Sequence, residues 1–242
     1  MDESISKAPD RIASMFDAIA SRYDLLNHLL SAGIDRYWRR RAIRSLRLTG
    51  RERVLDLCTG TADLAIAART ARPGAARVLG VDFSGAMLAV GADKLRRESL
   101  SGEIALVRGD AMRIPVADAS VDAVTIAFGI RNVEDAQVTC RDLHRVLKAG
   151  GRLAILEFAI PTTPLVRAAY LSYFRHILPR IGRLVSGHEA AYGYLPESVG
   201  AFASPDEFTE LLRKSGFGDV SADPMTFGIV FLYTAQRLEA GG

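Results

Sequence analysis

An α/β fold on one doubly wound, mostly parallel sheet follows from three observations. Short apolar strands alternate with helical stretches between residues 53 and 158. Acidic or small residues stand at the ends of several of those strands. The last two strand-like runs lie too close together for a crossover helix. Alternation at this spacing builds right-handed β-α-β units, whereas two closely joined strands pair antiparallel. A seven-stranded sheet with an antiparallel C-terminal strand is expected, preceded by helices and interrupted by a helical insertion. The 242 residues are 49% hydrophobic and 24% charged, which suits one domain with a sizeable core and excludes disorder and low complexity.

The N-terminal residues Ile12, Met15, Phe16, Ile19, Tyr23, Leu26 and Leu30 recur at three- and four-residue steps, the spacing of one amphipathic helix. A second helix is expected from about Arg36 to Leu48. Arg53–Cys58 then reads as a short apolar strand, followed by a small-residue turn and an Ala-rich helix to about Ala71. Strand Arg77–Val81, helix Ser84–Leu95 and strands Ile104–Arg108 and Val121–Ala127 come next. Helix Asp135–Leu147 is closed by Ala149-Gly150-Gly151 before strand Arg152–Phe158. After helix Pro205–Ser215, Val220–Phe227 and Ile229–Gln236 form the antiparallel pair. Residues 159–202 carry no strand–helix rhythm. The single domain divides into an N-terminal helical cap (1–50), a ligand-binding core (51–158), a helical insertion over the substrate (159–203) and a C-terminal helix with strands (204–237).

The 31 basic and 28 acidic residues leave +3, a sum that argues for no nucleic-acid or membrane partner. Two cysteines, Cys58 and Cys140, build neither a disulfide framework nor a four-ligand zinc site, so no metal is expected and a reducing cytoplasm suits them. No export signal and no membrane-spanning run is visible. The distribution of charge is uneven. Arg36, Arg40, Arg44, Arg47 and Arg51 would line one helical face, read as solvated, with nucleic-acid binding as the alternative. From Phe158 to His188 there is no acid, while Arg167, Arg175, Arg180 and Arg183 interleave with Leu165, Val166, Tyr170, Leu171, Phe174, Ile177, Leu178, Ile181 and Leu184. Such a stretch suits a bilayer interface, or a lid packed on the domain or on a second subunit as a homodimer.

The informative stretch is Val54-Leu-Asp-Leu-Cys-Thr-Gly-Thr-Ala-Asp-Leu-Ala65, a strand, a tight turn and a helix. Gly60 lets the backbone turn sharply and a ligand approach main-chain atoms, with Thr61 beside it. Asp82, ending Leu79-Gly-Val-Asp82, offers a carboxylate to both hydroxyls of a ribose. Asp110 and Ala111, after the third strand, suit an adenine edge. A dinucleotide site would show G-x-G-x-x-G, but Cys58, Gly60 and Asp63 occupy those places and Asp63 would repel a pyrophosphate. An adenosyl ligand without phosphates remains. Asp56, inside its strand, is expected to brace the loop.

The order Asp56, Gly60, Asp82, Asp110-Ala111 and Leu147-Lys-Ala-Gly-Gly-Arg-Leu153 resembles class I S-adenosylmethionine-dependent methyltransferases, which implies their Rossmann-like fold and S-adenosyl-L-methionine as cofactor. The amine-gripping turn common in enzymes acting on DNA, RNA or protein is missing after the fourth strand. Instead Phe128-Gly-Ile-Arg-Asn-Val133 resembles the signature of the ubiquinone/menaquinone biosynthesis C-methyltransferases (UbiE/MenG-like). Met15-Phe-Asp-x-Ile-Ala-x-x-Tyr-Asp-x-x-Asn27, Tyr192-Gly-Tyr-Leu-Pro-Glu-Ser198 and Met225-Thr-Phe-Gly-Ile-Val230 agree, so the resemblance covers residues 10–237. Ala127 stands where some relatives have serine, so any cofactor contact there comes from backbone. His188-Glu189 replaces a more usual acidic run.

The resemblance implies methyl transfer from a sulfonium to a ring carbon of a reduced, prenylated quinone: demethylmenaquinol, a methoxy-polyprenyl benzoquinol, or both. Carbon, methyl and sulfur must be aligned, water excluded and a proton removed. Arg131 and Asn132 are implied to hold a water or the quinol oxygens; Arg131 stays protonated, so it stabilises a phenolate and is not the base. Tyr23 and Asn27 are placed to close over the substrate, or simply to pack. His28, His144, His176 and His188 are the candidate bases, with His188 the first to test. A cytoplasmic enzyme is expected from the cysteines and the missing export signal, and for a prenylated substrate the basic amphipathic stretch offers either a peripheral contact at the inner membrane face or a packed lid. A methyltransferase acting on RNA or another small molecule, and a non-catalytic binding scaffold, are the competing readings.

Overall fold

Strands buried on both faces belong at the centre of a sheet, and β1 (Arg53–Leu57) and β4 (Val121–Ala127) are such strands. The computed structural model describes residues 9–71, 77–177, 180 and 189–239. Within them, β1 and β4 are joined by β2 (Arg77–Asp82), β3 (Ile104–Arg108), β5 (Leu147–Phe158), β6 (Phe217–Met225) and β7 (Val230–Arg237), in the order β3-β2-β1-β4-β5-β7-β6. Pairing is parallel from β3 to β5, and β7 runs antiparallel between β5 and β6. The expected fold class is therefore present. The order reverses between β1 and β4, which opens a crevice beyond their carboxyl ends.

Helices cover both faces. On one, α3 (Asp35–Ser45), α4 (Asp63–Thr70) and α5 (Gly85–Arg97) bury Trp38, Ile43, Leu64, Ala68 and Leu95 against the sheet. On the other, α6 (Ala136–Val146) and α9 (Pro205–Lys214) bury Cys140, Leu143, Phe208 and Leu212. Helix α9 starts sharply because Ser204 and Glu207 form a reciprocal capping box with Pro205 just inside it. The insertion contains α7 (Pro164–Ser172), a wider turn at Tyr173–Ile177 and α8 (Glu189–Ala201). Among the described residues no helix is long and apolar enough to cross a membrane.

Several boundaries differ from expectation. The single N-terminal helix is broken into α1 (Pro9–Ile19), a 3-10 turn at Ala20–Arg22 and α2 (Tyr23–Leu30). Ile19 and Ala20 are buried with Met87 of α5 at the break, so docking on the core, rather than the helical period, sets the path. Strand β5 reaches back to Leu147: Leu147 pairs with Val121, then the register shifts to Ala123–Arg152, with Gly150 at φ 75° absorbing the extra residues. Strand β6 begins at Phe217 and ends at Met225, because Thr226 and Phe227 take left-handed conformations in the turn to β7. On α3 the arginine face is solvent-exposed at Arg36, Arg40 and Arg44, as is Arg47 just beyond, but Arg39 is buried.

Phe208 is fully buried, 4.8 Å from the ring of Tyr233 and 5.1 Å from that of Phe202. Phe208→Ala should cost about 3–5 kcal/mol, read as a lower urea midpoint at unchanged m-value.

Candidate functional site

The loop after β1 is wound unusually tightly. Cys58 (φ 54°), Gly60 (φ 55°) and Ala62 (φ 68°) all lie in the left-handed region, which costs a non-glycine residue about 1–2 kcal/mol. Hydrogen bonds hold it there. Gly60 N–H donates to Asp82 Oδ2 at 2.7 Å, Thr59 N–H to the Val81 carbonyl at 3.0 Å, and Thr59 Oγ1 to Asp56 Oδ2 at 2.5 Å. Asp56 also accepts from Thr125 Oγ1 of β4 at 2.7 Å, so this buried acid braces the loop from below, as its place inside the strand suggested. Burial pushes the Asp56 carboxyl up to about 6, against the pull of Thr59 and Thr125.

The first cavity lies over this loop. It is lined by Gly60, Asp82, Phe83, Asp110, Ala111, Met112, Ala127 and Asn132, with Ile12, Ala13 and Phe16 of α1 closing it from above. Asp82 Oδ1 accepts from Ser84 N–H at 2.9 Å while Oδ2 takes Gly60, which leaves each oxygen a further lone pair. Burial raises the Asp82 carboxyl, opposed by the N–H groups of Ser84, Gly60 and Phe83 and helped by nearby Asp17. Asp110 accepts from Met112 N–H at 2.8 Å, which presents Ala111 and Met112 along one wall. A Cβ on Gly129 would sit 2.3 Å from that of Cys58, so the approach of β4 to the loop requires glycine. Among the described residues no lysine or arginine lines this cavity, while Asp82, Asp110 and Glu134 do. That donor set rejects a pyrophosphate and suits a phosphate-free adenosyl ligand carrying a positive sulfonium.

The second cavity, about 450 Å³, is apolar and aromatic. Its walls include Leu26, Trp38, Phe158, Tyr170, Phe174 and Tyr194, with Arg131, Asn27, Asp35 and Arg39 as polar points. The two cavities share Phe16, Tyr23 and Phe128. Tyr23 therefore stands at their junction, edge-on to Phe16 at 6.1 Å, with its hydroxyl kept protonated by burial against the opposing hydrogen bond with Asn27.

Arg131 and Asn132 are adjacent but serve different cavities. Arg131 is 5% exposed on the second; its Nη1 pairs with Glu157 Oε1 at 2.8 Å and donates to the Phe128 carbonyl, and its Nε lies 3.3 Å from Ser198 Oγ. The guanidinium carbon sits 5.5 Å over the Phe158 ring. Asn132 lines the first cavity, donating to the Phe128 carbonyl and accepting from Tyr194 O–H at 3.1 Å. Thr61 is not in either lining: it is buried, and its hydroxyl donates to Asp24 and lies 3.3 Å from Lys94 Nζ. Its place beside Gly60 suggested a cofactor contact; its side-chain hydroxyl ties α2 to the loop.

Of the histidines, His28 lies 2.9 Å from Asp35, His144 packs edge-on to Phe217 at 5.3 Å and His176 is exposed, all three outside the two linings. His188 lies outside the described residues, as do Arg183, Leu178, Ile181 and Leu184 and the side chains of Glu189 and Tyr192. Glu157, Asp35 and Arg39 escaped the reading of the sequence. An acid inside the apolar run Ile155-Leu156-Glu157-Phe158 was the available signal for the first. For the other two nothing distinguished Arg39 from its exposed arginine neighbours.

A model described as the ubiE/COQ5 methyltransferase family matches residues 5–237. A "Ubiquinone/menaquinone biosynthesis C-methyltransferase UbiE" of Syntrophotalea carbinolica is 49% identical, with 92% of each chain covered. A "Demethylmenaquinone methyltransferase" of Deinococcus radiodurans is 44% identical over 93% of this chain and 92% of its own. Among solved structures, a putative S-adenosyl-L-methionine-dependent methyltransferase from Methanococcus maripaludis superposes with a TM-score of 0.67 at 20% identity, covering 100% of this chain and 99% of that one. The [4+2]-cyclase SpnF gives 0.69 at 18% identity, covering 96% and 97%. These last two show the fold alone; a cyclase on the same scaffold illustrates why chemistry is argued from the site.

Two measurements test the loop. Asp82→Ala should abolish S-adenosylmethionine binding in calorimetry, and unchanged affinity would overturn the ribose assignment. Because the folded Asp56 carboxyl is raised, its ionisation destabilises the fold as pH rises from about 4 through 6. Relative to the parent, Asp56→Asn should therefore gain roughly 3 kcal/mol between pH 3.5 and pH 7 in urea titrations.

Proposed function

The chain belongs to the ubiE/COQ5 methyltransferase family, and from that membership we propose that its two adjoining cavities hold S-adenosyl-L-methionine and a reduced polyprenyl quinone side by side. The protein is an S-adenosylmethionine-dependent C-methyltransferase of quinone biosynthesis. We read the ring substrate as demethylmenaquinol, with 2-methoxy-6-polyprenyl-1,4-benzoquinol as a second acceptor, since relatives of similar identity carry names covering both routes. The observation that carries the reading is the shared wall of Phe16, Tyr23 and Phe128 between an acidic, phosphate-rejecting cavity and an aromatic one.

When bound, S-adenosylmethionine supplies an electrophilic methyl group on sulfur. The residues of this chain do the rest. Asp82 takes the ribose hydroxyls, Asp110 and Ala111 the adenine edge, and the backbone at Gly60 and Ala127 the face of the ligand. Helix α1 excludes water through Ile12, Ala13 and Phe16, anchored where Asp17 accepts from Ser84 Oγ and from Ala86 N–H at 3.2 Å. A quinol carbon becomes nucleophilic as its hydroxyl ionises, and Arg131 stabilises the resulting phenolate. Glu157 and Phe158 hold that guanidinium in one orientation. Alignment across the shared wall contributes up to about 7–11 kcal/mol in favourable cases.

The prenyl tail needs a route in. The second cavity's lining includes exposed Ala32 and Ala169 and Ile34, which is 40% exposed. Leu25, Leu29, Leu165, Leu171 and Ile177 are exposed on α2 and in the insertion, where Arg167, Arg175 and Arg180 are also exposed. We read this rim as the surface that rests on an anionic bilayer.

Labelled S-adenosylmethionine offered with demethylmenaquinol, the methoxy-polyprenyl benzoquinol or bulk RNA should label quinol ring carbons and leave RNA unlabelled; label in RNA alone would sink the proposal. Arg131→Lys keeps a charge opposite Glu157 but loses the planar fork, so kcat should fall about tenfold or more at unchanged cofactor affinity. Leu165→Asp with Ile177→Asp should weaken co-sedimentation with vesicles containing anionic lipid.

A further inference from the structure

C-methylation releases a proton that must leave a closed, apolar chamber. The sulfur–methyl bond breaks with its electron pair staying on sulfur, a ring carbon forms the new bond to the methyl group, and the ring hydrogen departs as H⁺. The positive charge brought in on the sulfonium thus leaves as that proton. Arg131 stays protonated, and Glu157 is fully buried and lines neither cavity, so neither is an outlet.

We propose that Asp35 and His28 form the exit, Asp35 taking the proton from the substrate chamber and His28 delivering it to solvent. Asp35 lines the second cavity and is 2% exposed, while His28 lines a separate outer pocket with its side chain 34% exposed. The carboxylate oxygen and the imidazole Nδ1 are 2.9 Å apart, so the pair spans the wall between inside and outside. Ser31 O–H donates to the other Asp35 oxygen at 2.9 Å, and Arg39 pairs with the carboxylate. Burial pushes the Asp35 carboxyl up, but Arg39, Ser31 and His28 together hold it below its usual value. Asp35 therefore keeps a proton only in passing, and the imidazole is the acceptor of record.

The outer pocket that His28 lines is built from charged residues. The charged groups around it are Asp24 on α2, Asp35, Arg36 and Arg39 on α3, Asp63 on α4, Lys94 and Arg97 on α5, and Glu98 just beyond. Acids and bases balance among them. Asp24 and Asp63 pair with Lys94, and Asp63 also lies 3.4 Å from Arg39.

This inference rests on the quinol reading, and the full-length protein tests both. In His28→Ala, kcat should fall by about a hundredfold, within the range of a lost general base, while S-adenosylmethionine affinity by calorimetry is unchanged. Added imidazole should restore the rate in proportion to its concentration, because the vacated site faces an outer pocket. A purely structural histidine would show no such rescue. Should the alanine variant lose cofactor binding, His28→Gln is assayed in its place against the same criteria. A parent that methylates no quinol would overturn the substrate reading and this inference together. An active parent beside a variant at parental rate, or one that imidazole does not restore, overturns this inference alone.

Discussion

Everything in this site hangs on a loop that should not be comfortable where it is. Three residues between Cys58 and Ala62 sit in the left-handed region, two of them with a Cβ. Two carboxylates keep them there: Asp56 through Thr59 from beneath, and Asp82 through the Gly60 N–H from the neighbouring strand. Both acids are removed from water, and burial raises both. A buried acid is costly unless its oxygens are used, and here Thr59, Thr125, Gly60 and Ser84 donate to them, shaping the loop or linking it to β2 and β4.

The N-terminal cap is fastened to that same loop. Thr61 donates to Asp24, Lys94 binds Asp24 and Asp63, and Arg39 joins Asp35 to Asp63, so α2, α3, α4 and α5 meet in one polar cluster. Asp17 fastens α1 to the start of α5 just beyond Asp82. Cofactor loop and substrate roof are therefore parts of one network. The His28, Asp35 and Asp63 ligand atoms come close enough for a cation, and the Arg39 guanidinium supplies positive charge there.

Parts of this were legible from residue order because their causes are local. The strand–helix alternation, the glycine at the turn, the acid ending β2 and the brace at Asp56 each follow from a short stretch of chain. The one-helix reading of residues 12–30 failed because helical period reports an apolar face but not the surface that face must meet. The Thr61 hydroxyl shows a similar limit: adjacency to Gly60 says nothing of which way a side chain points when the next residue turns left-handed.

Periodicity and spacing were enough to determine a mostly parallel seven-stranded sheet and a glycine turn with acids at the strand ends; the methyltransferase family was legible only through the resemblance of its motifs. The sheet and the turn depend on spacing along the chain, which the sequence carries directly. The partition into two cavities, the Arg131–Glu157 pair and the His28–Asp35 contact were decided only by tertiary structure. Each joins residues from separate elements, and their distance in space is set by packing across the sheet, which no local pattern records.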